Sequence, residues 1–286
     1  MKLALGTAQF GADYGIAGGR RITPSEITAI LDRAHAAGID CIDTAGAYGA
    51  SESRLGHEHA GARFRIVTKL LRPEATNIET AVRRAVEDAM HRLDVERLYA
   101  VLAHRPDDLS GPAGASFWRA LTDLRDEGAI DRIGVSVYRP LDAVALHAHY
   151  GIDIVQAPLN LLDQRLLADG ALAELNRQGV EVHVRSVFLQ GLLLLAPDVR
   201  PAWARNWSEA LGACDRWIAQ SGRSAASACL AFALQQPGID RVVVGVDGAA
   251  QLDELIACAG DRSALPCADD LACTDEALLH PGRWPT

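Results

Sequence analysis

Residues 38–43 read GIDCID: a glycine, an apolar residue, an acid, then a short run of strand formers. The same unit returns as AIDRIGVSV (129–137, after Gly128), GIDIVQA (151–157), GVEVHV (179–184) and GIDRVVVGV (238–246). Glycine tolerates positive φ and so stops helices. Each unit therefore reads as a helix end, a short loop and a strand. The strand runs are rich in Val and Ile without strict polar alternation, the pattern of strands buried on both faces.

Between these units the apolar spacing is helical. Over 24–37, Ile27, Ile30, Leu31 and Ala34 share one face. Thr23, Pro24 and Glu26 read as a capping box with proline at the first helical position. Over 78–93 the stripe is Val82, Ala85, Val86, Ala89 and Leu93, with Thr76 and Glu79 expected as its capping box. Over 116–127, Phe117, Leu121 and Leu124 face inward before Gly128.

Eight strands are expected, at 3–7, 39–43, 65–69, 98–103, 132–137, 153–157, 181–186 and 241–246. No Pro/Ser-rich linker or charge run divides the chain. Eight alternating β and α units predict an α/β fold, a (β/α)8 TIM barrel forming a single domain over residues 1–286. A doubly wound sheet is the rival. It would normally place GxGxxG after the first strand, and LGTAQFGADYG (5–15) does not fit.

Composition narrows the function. With 49% hydrophobic and 23% charged residues the chain is ordinary for a packed protein. The net charge of −9 and the lack of a Lys/Arg cluster argue against nucleic acid. The longest aliphatic run, Leu192 to Ala196, is far below the ~20 residues of a membrane helix. The N-terminal apolar run is too short for a signal peptide. The six cysteines form no CxxC pair and read as reduced thiols of a cytoplasmic protein.

At the C-terminal ends of barrel strands side chains face the active site. The expected strand ends bring Asp43, Lys69 and His104 there on consecutive strands, with Tyr48 in the loop after Asp43. A free phenol, with a pKa of about 10, is a poor acid at neutral pH. A nearby ammonium favours the phenolate. Lys69 is placed to supply that ammonium, Asp43 to balance its charge, and His104 to orient a substrate oxygen. Such a set protonates a carbonyl oxygen while hydride reaches the carbon. No side chain donates hydride, so a cofactor must.

Duller readings exist for each. Tyr48 alone would be packing, Asp43 could cap a turn, Lys69 could snorkel and His104 could be a loop histidine. The constellation favours function. His57 and His59, or His147 and His149, have the wrong spacing for a shared metal. No metal site is expected. Ser136 lacks the second glycine of a serine-hydrolase elbow.

DTAGAYG (43–49), Thr68-Lys69, His104 after VLA, GVSVY (134–138) and VRSVFLQGLLL (184–194) together resemble the aldo-keto reductases, in the form seen in the bacterial branch. The resemblance runs from LGTAQFG at the start to GVDGAAQLDEL (245–255). It implies a (β/α)8 barrel that uses NADPH or, less often, NADH to interconvert carbonyls and alcohols. It implies Tyr48 as general acid, Lys69 and Asp43 as its tuning pair and His104 as the orienting imidazole.

On the cofactor side the resemblance implies Thr7, Ser136 and Gln156, the last two on the nicotinamide carboxamide. Arg185 stands where many relatives stack an aromatic ring on nicotinamide, and a planar guanidinium can stack there. Ser186, Phe188 and Gln190 belong to the pyrophosphate-side loop. The last loop, Gly245, Asp247, Gln251 and Glu254, has no base for a 2′-phosphate. An acid there suits ribose hydroxyls. Family resemblance points to NADPH and the loop to NADH.

The expected partner is a small carbonyl or alcohol, sugar-like or otherwise polar; oligomeric state is open. The short C-terminus suggests an open mouth closed mainly by 189–207, where Trp203, Arg205 and Trp207 could line a polar-aldehyde site. The alternatives are a cofactor-binding, redox-sensing or regulatory subunit with little turnover, and a barrel lyase or isomerase sharing only the fold.

Overall fold

In the computed structural model, eight short strands pair in parallel, each with its neighbour in sequence, and the last closes on the first. The structure describes residues 1–11, 15–16, 22–261 and 263–285. The strands are β1 (Leu3–Gly6), β2 (Cys41–Asp43), β3 (Arg65–Leu70), β4 (Leu98–Ala103), β5 (Ile130–Ser136), β6 (Ile154–Pro158), β7 (Glu181–Arg185) and β8 (Arg241–Gly245). Every expected strand is present, with no end shifted by more than two residues and 98–103 matched at both ends. Ile39 is not yet strand, because its N–H still donates to Ala34 O at the preceding helix end.

The principal helices are α1 (Pro24–Ala36), α2 (Ser51–His57), α3 (Ile78–Leu93), α4 (Gly111–Asp126), α5 (Pro140–Tyr150), α6 (Ala171–Arg177), α7 (Ser208–Ser221), α8 (Ala225–Leu234) and α9 (Ala249–Ala259). Thr23 and Glu26 form the expected capping box on α1. On α3 the cap is Asn77, whose side chain accepts from Thr80 N–H, and not Thr76. The Asn77 amide oxygen already reaches the third helical N–H, leaving Thr76 outside the helix. Helix α4 starts at Gly111, earlier than expected, because Pro112 fits the first turn of a helix.

Strand residues alternate between two buried environments, as a period of two requires. One set, including Leu3, Leu5, Ile42, Val101, Val155 and Val242, packs against the helices in a large outer core. The other, Ala4, Cys41, Val67, Ala100, Leu102, Ile154 and Val243, forms a separate cluster inside the barrel. Burying each large aliphatic chain contributes about 1.5–3 kcal/mol. The inner set continues upward at the same parity. Asp43 follows Cys41, Lys69 follows Val67, His104 follows Leu102, Gln156 follows Ile154 and Gly245 follows Val243, each two residues on. The side chains that close the barrel core thus point the next inward-facing ones into the mouth.

Candidate active site

Loop residues 44–50 carry Tyr48 back over the barrel mouth. Tyr48 N–H donates to Ala45 O, and Ser51 N–H donates to Tyr48 O. A Cβ on Gly11 would collide with the Tyr48 carbonyl. Gly49, at φ 57°, would set a Cβ 2.6 Å from Gly11 O. Both glycines are therefore needed for the first loop to press against the Tyr48 loop. Beneath it, Ser51 Oγ donates to Thr7 O at 2.9 Å, and Thr7 Oγ1 donates to Asp43 O at 3.0 Å. These buried bonds fix the backbone at Asp43.

Lys69 Nζ donates to both Asp43 carboxylate oxygens, at 2.7 and 2.6 Å, to Thr44 O at 3.1 Å and to Tyr48 Oη at 3.4 Å. Burial alone would lower the Lys69 pKa, but the Asp43 carboxylate and Tyr48 outweigh it and hold it above the ordinary ammonium value. Lys69 is therefore a permanent cation beside the phenol. Below β3, Thr68 Oγ1 donates to the buried Glu52 at 2.6 Å, and Arg92 Nε donates to Glu52 at 2.8 Å. This network braces the Lys69 strand end.

The His104 ring meets the Tyr48 ring edge-on, with centroids 6.2 Å apart. Its pKa is pushed down to about 4, first by burial and then by the Lys69 and Arg105 charges. His104 is thus a neutral imidazole at physiological pH, able to donate one hydrogen bond and accept another. Its Nδ1 is buried without a hydrogen-bond partner. The four side chains expected to act together are together.

Two cavities meet here. The first, about 470 Å³, is walled by Thr7, Gly245, Asp247 and Gln251 on one side and by Arg185, Ser186, Phe188 and Gln190 on the other. The second, about 720 Å³, holds Lys69, His104, Ser136 and Gln156. Tyr48, Arg185 and Gln190 line both and mark the junction. The segment after β7 is strained: Ser186, Leu189 and Gln190 adopt φ of 60°, 48° and 53°. Such backbone is held only where surrounding structure imposes it, commonly at ligand sites.

The residues fit a nicotinamide cofactor. Gln156 Nε2 donates to Asp43 Oδ1 at 2.6 Å, which leaves its buried Oε1 without a partner and suited to an amide N–H. Asp247 N–H donates to Gln251 Oε1 at 2.7 Å, shaping the last loop. Thr7, on the wall of the first cavity, has its hydroxyl in contact with Asp43 O and Ser51 Oγ. Glu254 is exposed on α9 and lines neither cavity.

The C-terminal segment departs from expectation. It contributes to the site wall: Glu276, His280 and Arg283 line the second cavity. The His280 ring stacks on Tyr138 at 3.7 Å, and Arg185 Cζ lies 4.2 Å from the Tyr138 centroid. Within 189–207, Leu194 and Leu195 wall the first cavity, while Trp203, Arg205 and Trp207 line neither. Trp203 instead packs on Trp284 at 4.8 Å, and Trp207 Nε1 donates to Asp275. Those rings anchor the tail. Tyr138, Arg105, Arg139, Arg165 and the tail residues were not among the expected site residues. Tyr138 ends GVSVY, two positions beyond the inward-facing Ser136, and that parity was the available signal.

Among the described residues, no group of His, Cys, Asp and Glu is arranged to hold a metal ion. His57 Nδ1 contacts Ser53 O, and His59 pairs with Asp94. No described helix is long and apolar enough to cross a membrane.

A sequence model described as the aldo/keto reductase family matches residues 2–261. No curated protein matches the chain in sequence. Among solved structures, an aldo-keto reductase from Bacillus halodurans in its holo form superimposes with TM-score 0.73 at 19% identity, covering 94% of this chain and 89% of that one. A structure from Pseudomonas aeruginosa, also described as an aldo-keto reductase, gives TM-score 0.67 at 24% identity over 90% and 89% of the two chains. At these identities the structural likeness speaks for the fold.

Proposed function

The chain belongs to the aldo-keto reductase family, oxidoreductases acting on carbonyls, and from that premise we propose that it interconverts aldehydes or ketones and alcohols with NAD(P)H, using Tyr48 as general acid and base. The observation that carries this reading is the Lys69 ammonium, bound to the Asp43 carboxylate and 3.4 Å from the Tyr48 hydroxyl at the junction of two cavities.

A reduced nicotinamide supplies the hydride. Tyr48 gives its hydroxyl proton to the carbonyl oxygen, and Lys69 stabilises the phenolate left behind. His104, neutral and lining the second cavity, hydrogen-bonds the same oxygen and orients it. In oxidation the Tyr48 phenolate takes the alcohol proton. Gln156 Oε1, which has no partner of its own, and Ser136 would hold the carboxamide, Ser186, Phe188 and Gln190 would border the pyrophosphate, and Arg185 would face the ring.

For the cofactor we favour NADH. Among the described residues, Arg185 is the only Lys or Arg lining the first cavity, and it sits at the junction with the second. Asp247 and Gln251 offer a 2′-phosphate no cation, whereas ribose hydroxyls suit them.

The test is Tyr48→Phe. Aldehyde-dependent oxidation of NADH or NADPH should fall about a hundredfold or more, the usual scale of general-acid catalysis. Quenching of cofactor fluorescence on binding should survive. Unchanged reduction by that variant sinks the assignment.

A further inference from the structure

The chain carries a net charge of −9, yet five arginines converge on the second cavity. Three of them are neutralised. Arg139 pairs with Asp142 at 2.8 Å, Arg165 with the buried Asp163 at 2.8 Å, and Arg283 with Glu276 at 2.9 Å. Lys69 is neutralised by Asp43. Arg185 and Arg105 are left over, and among the described lining carboxylates only Asp107, two residues from Arg105 at the rim, lies outside those pairs.

Arg185 is half-buried, and charged groups out of water are normally paired. Its guanidinium donates to Ser186 Oγ at 3.1 Å and to Val137 O at 3.0 Å, and lies on Tyr138. Those contacts use two of five donors and hold no negative charge. They draw the group toward residues 137–138, where Tyr138 lines the second cavity. Arg105 follows His104 at the outer rim. Its backbone N–H bonds Asp108, and its side chain has no carboxylate partner among the described residues. The cavity thus has one cation at its inner end, beside Tyr48, and another at its mouth.

Resting on the reductase reading above, we propose that the substrate is a carbonyl compound bearing an anionic group, a carboxylate or a phosphate, with Arg185 and Arg105 as its counter-ions. A guanidinium presents paired N–H groups that match either oxyanion. The same two charges help keep His104 unprotonated, so the imidazole remains an orienting group and is not itself the counter-ion.

The experiment compares matched substrates on the intact protein: 4-oxobutanoate against butanal, and glyceraldehyde 3-phosphate against glyceraldehyde. The anionic member of at least one pair should show kcat/KM about tenfold higher or more, mostly through KM, as a charge-assisted contact gives. The pair that responds separates carboxylate from phosphate. Raising salt should lift KM for the anion and spare the neutral compound. Arg105→Gln or Arg185→Gln should shrink the anionic-to-neutral ratio, with cofactor Kd measured alongside to separate an effect on the cofactor. Two pairs that each agree within about twofold, or a preference that both variants retain, overturn the inference while the reductase reading stands. Loss of turnover on all four compounds with either cofactor removes both.

Discussion

Lys69 Nζ contacts both carboxylate oxygens of Asp43, and the two side chains are only 2% and 6% exposed. Removing one partner of such a pair strands a buried charge. Asp43→Asn should therefore destabilise the fold by about 3–5 kcal/mol, read as a lower urea midpoint at constant slope. The double variant Asp43→Leu/Lys69→Met should recover much of that stability and none of the activity. A fully stable Asp43→Asn protein contradicts the pairing.

The His104 imidazole is held near pKa 4, by burial first and by Lys69 second. The sign follows from comparing states. The unfolded chain takes up this proton near pH 6.5, while the folded chain takes it up near pH 4. Between those values the unfolded state binds more protons, so stability falls as pH drops through that window and is complete above it. Imidazole NMR should show His104 neutral at pH 6, with a midpoint near 4. Lys69→Met removes a cation and frees the Asp43 carboxylate, so the midpoint should move upward.

The recurring GID-type unit carried the barrel, because Gly38, Gly128, Gly151 and Gly179 end helices and each Val/Ile run is buried on both faces. The inward parity of Asp43, Lys69 and His104 was equally legible, since period two leaves a side chain no choice of face once its strand is placed. The tail was not legible. His280 stacks on Tyr138 at the cavity, and Trp203 anchors the tail through Trp284, contacts across more than 75 residues that no local pattern encodes. The leftover charge on Arg185 was hidden for the same reason. It appears only once the carboxylates that neutralise Arg139, Arg165 and Arg283 are located in space.

Cofactor choice turns on the last loop. Gln251 lines the first cavity with Asp247, and among the described residues Arg185 is the only Lys or Arg on that cavity's wall. Gln251→Arg should add a partner for a 2′-phosphate and tighten NADPH binding about tenfold, with NADH changed far less. Fluorescence titration with each cofactor checks it. The wild-type protein should bind NADH more tightly than NADPH. A wild-type preference for NADPH would mean a cation outside this wall reaches the phosphate.

Tyr138 is clasped between the Arg185 guanidinium at 4.2 Å and the His280 ring at 3.7 Å, so one phenol ring couples the segment after β7 to the C-terminal tail. Cation–π contacts of this kind contribute about 0.5–2 kcal/mol. Tyr138→Ala removes the platform from both sides. Arg185 keeps its bonds to Val137 O and Ser186 Oγ but loses the surface that fixes its plane. The tail keeps Leu278 and Leu279 buried, so the fold should hold. The expected outcome is a KM raised about tenfold, the scale of 1.4 kcal/mol, with kcat changed less and cofactor Kd little altered. Steady-state kinetics with a saturating cofactor measures it. An unchanged KM would show that the tail covers the cavity without shaping what binds there.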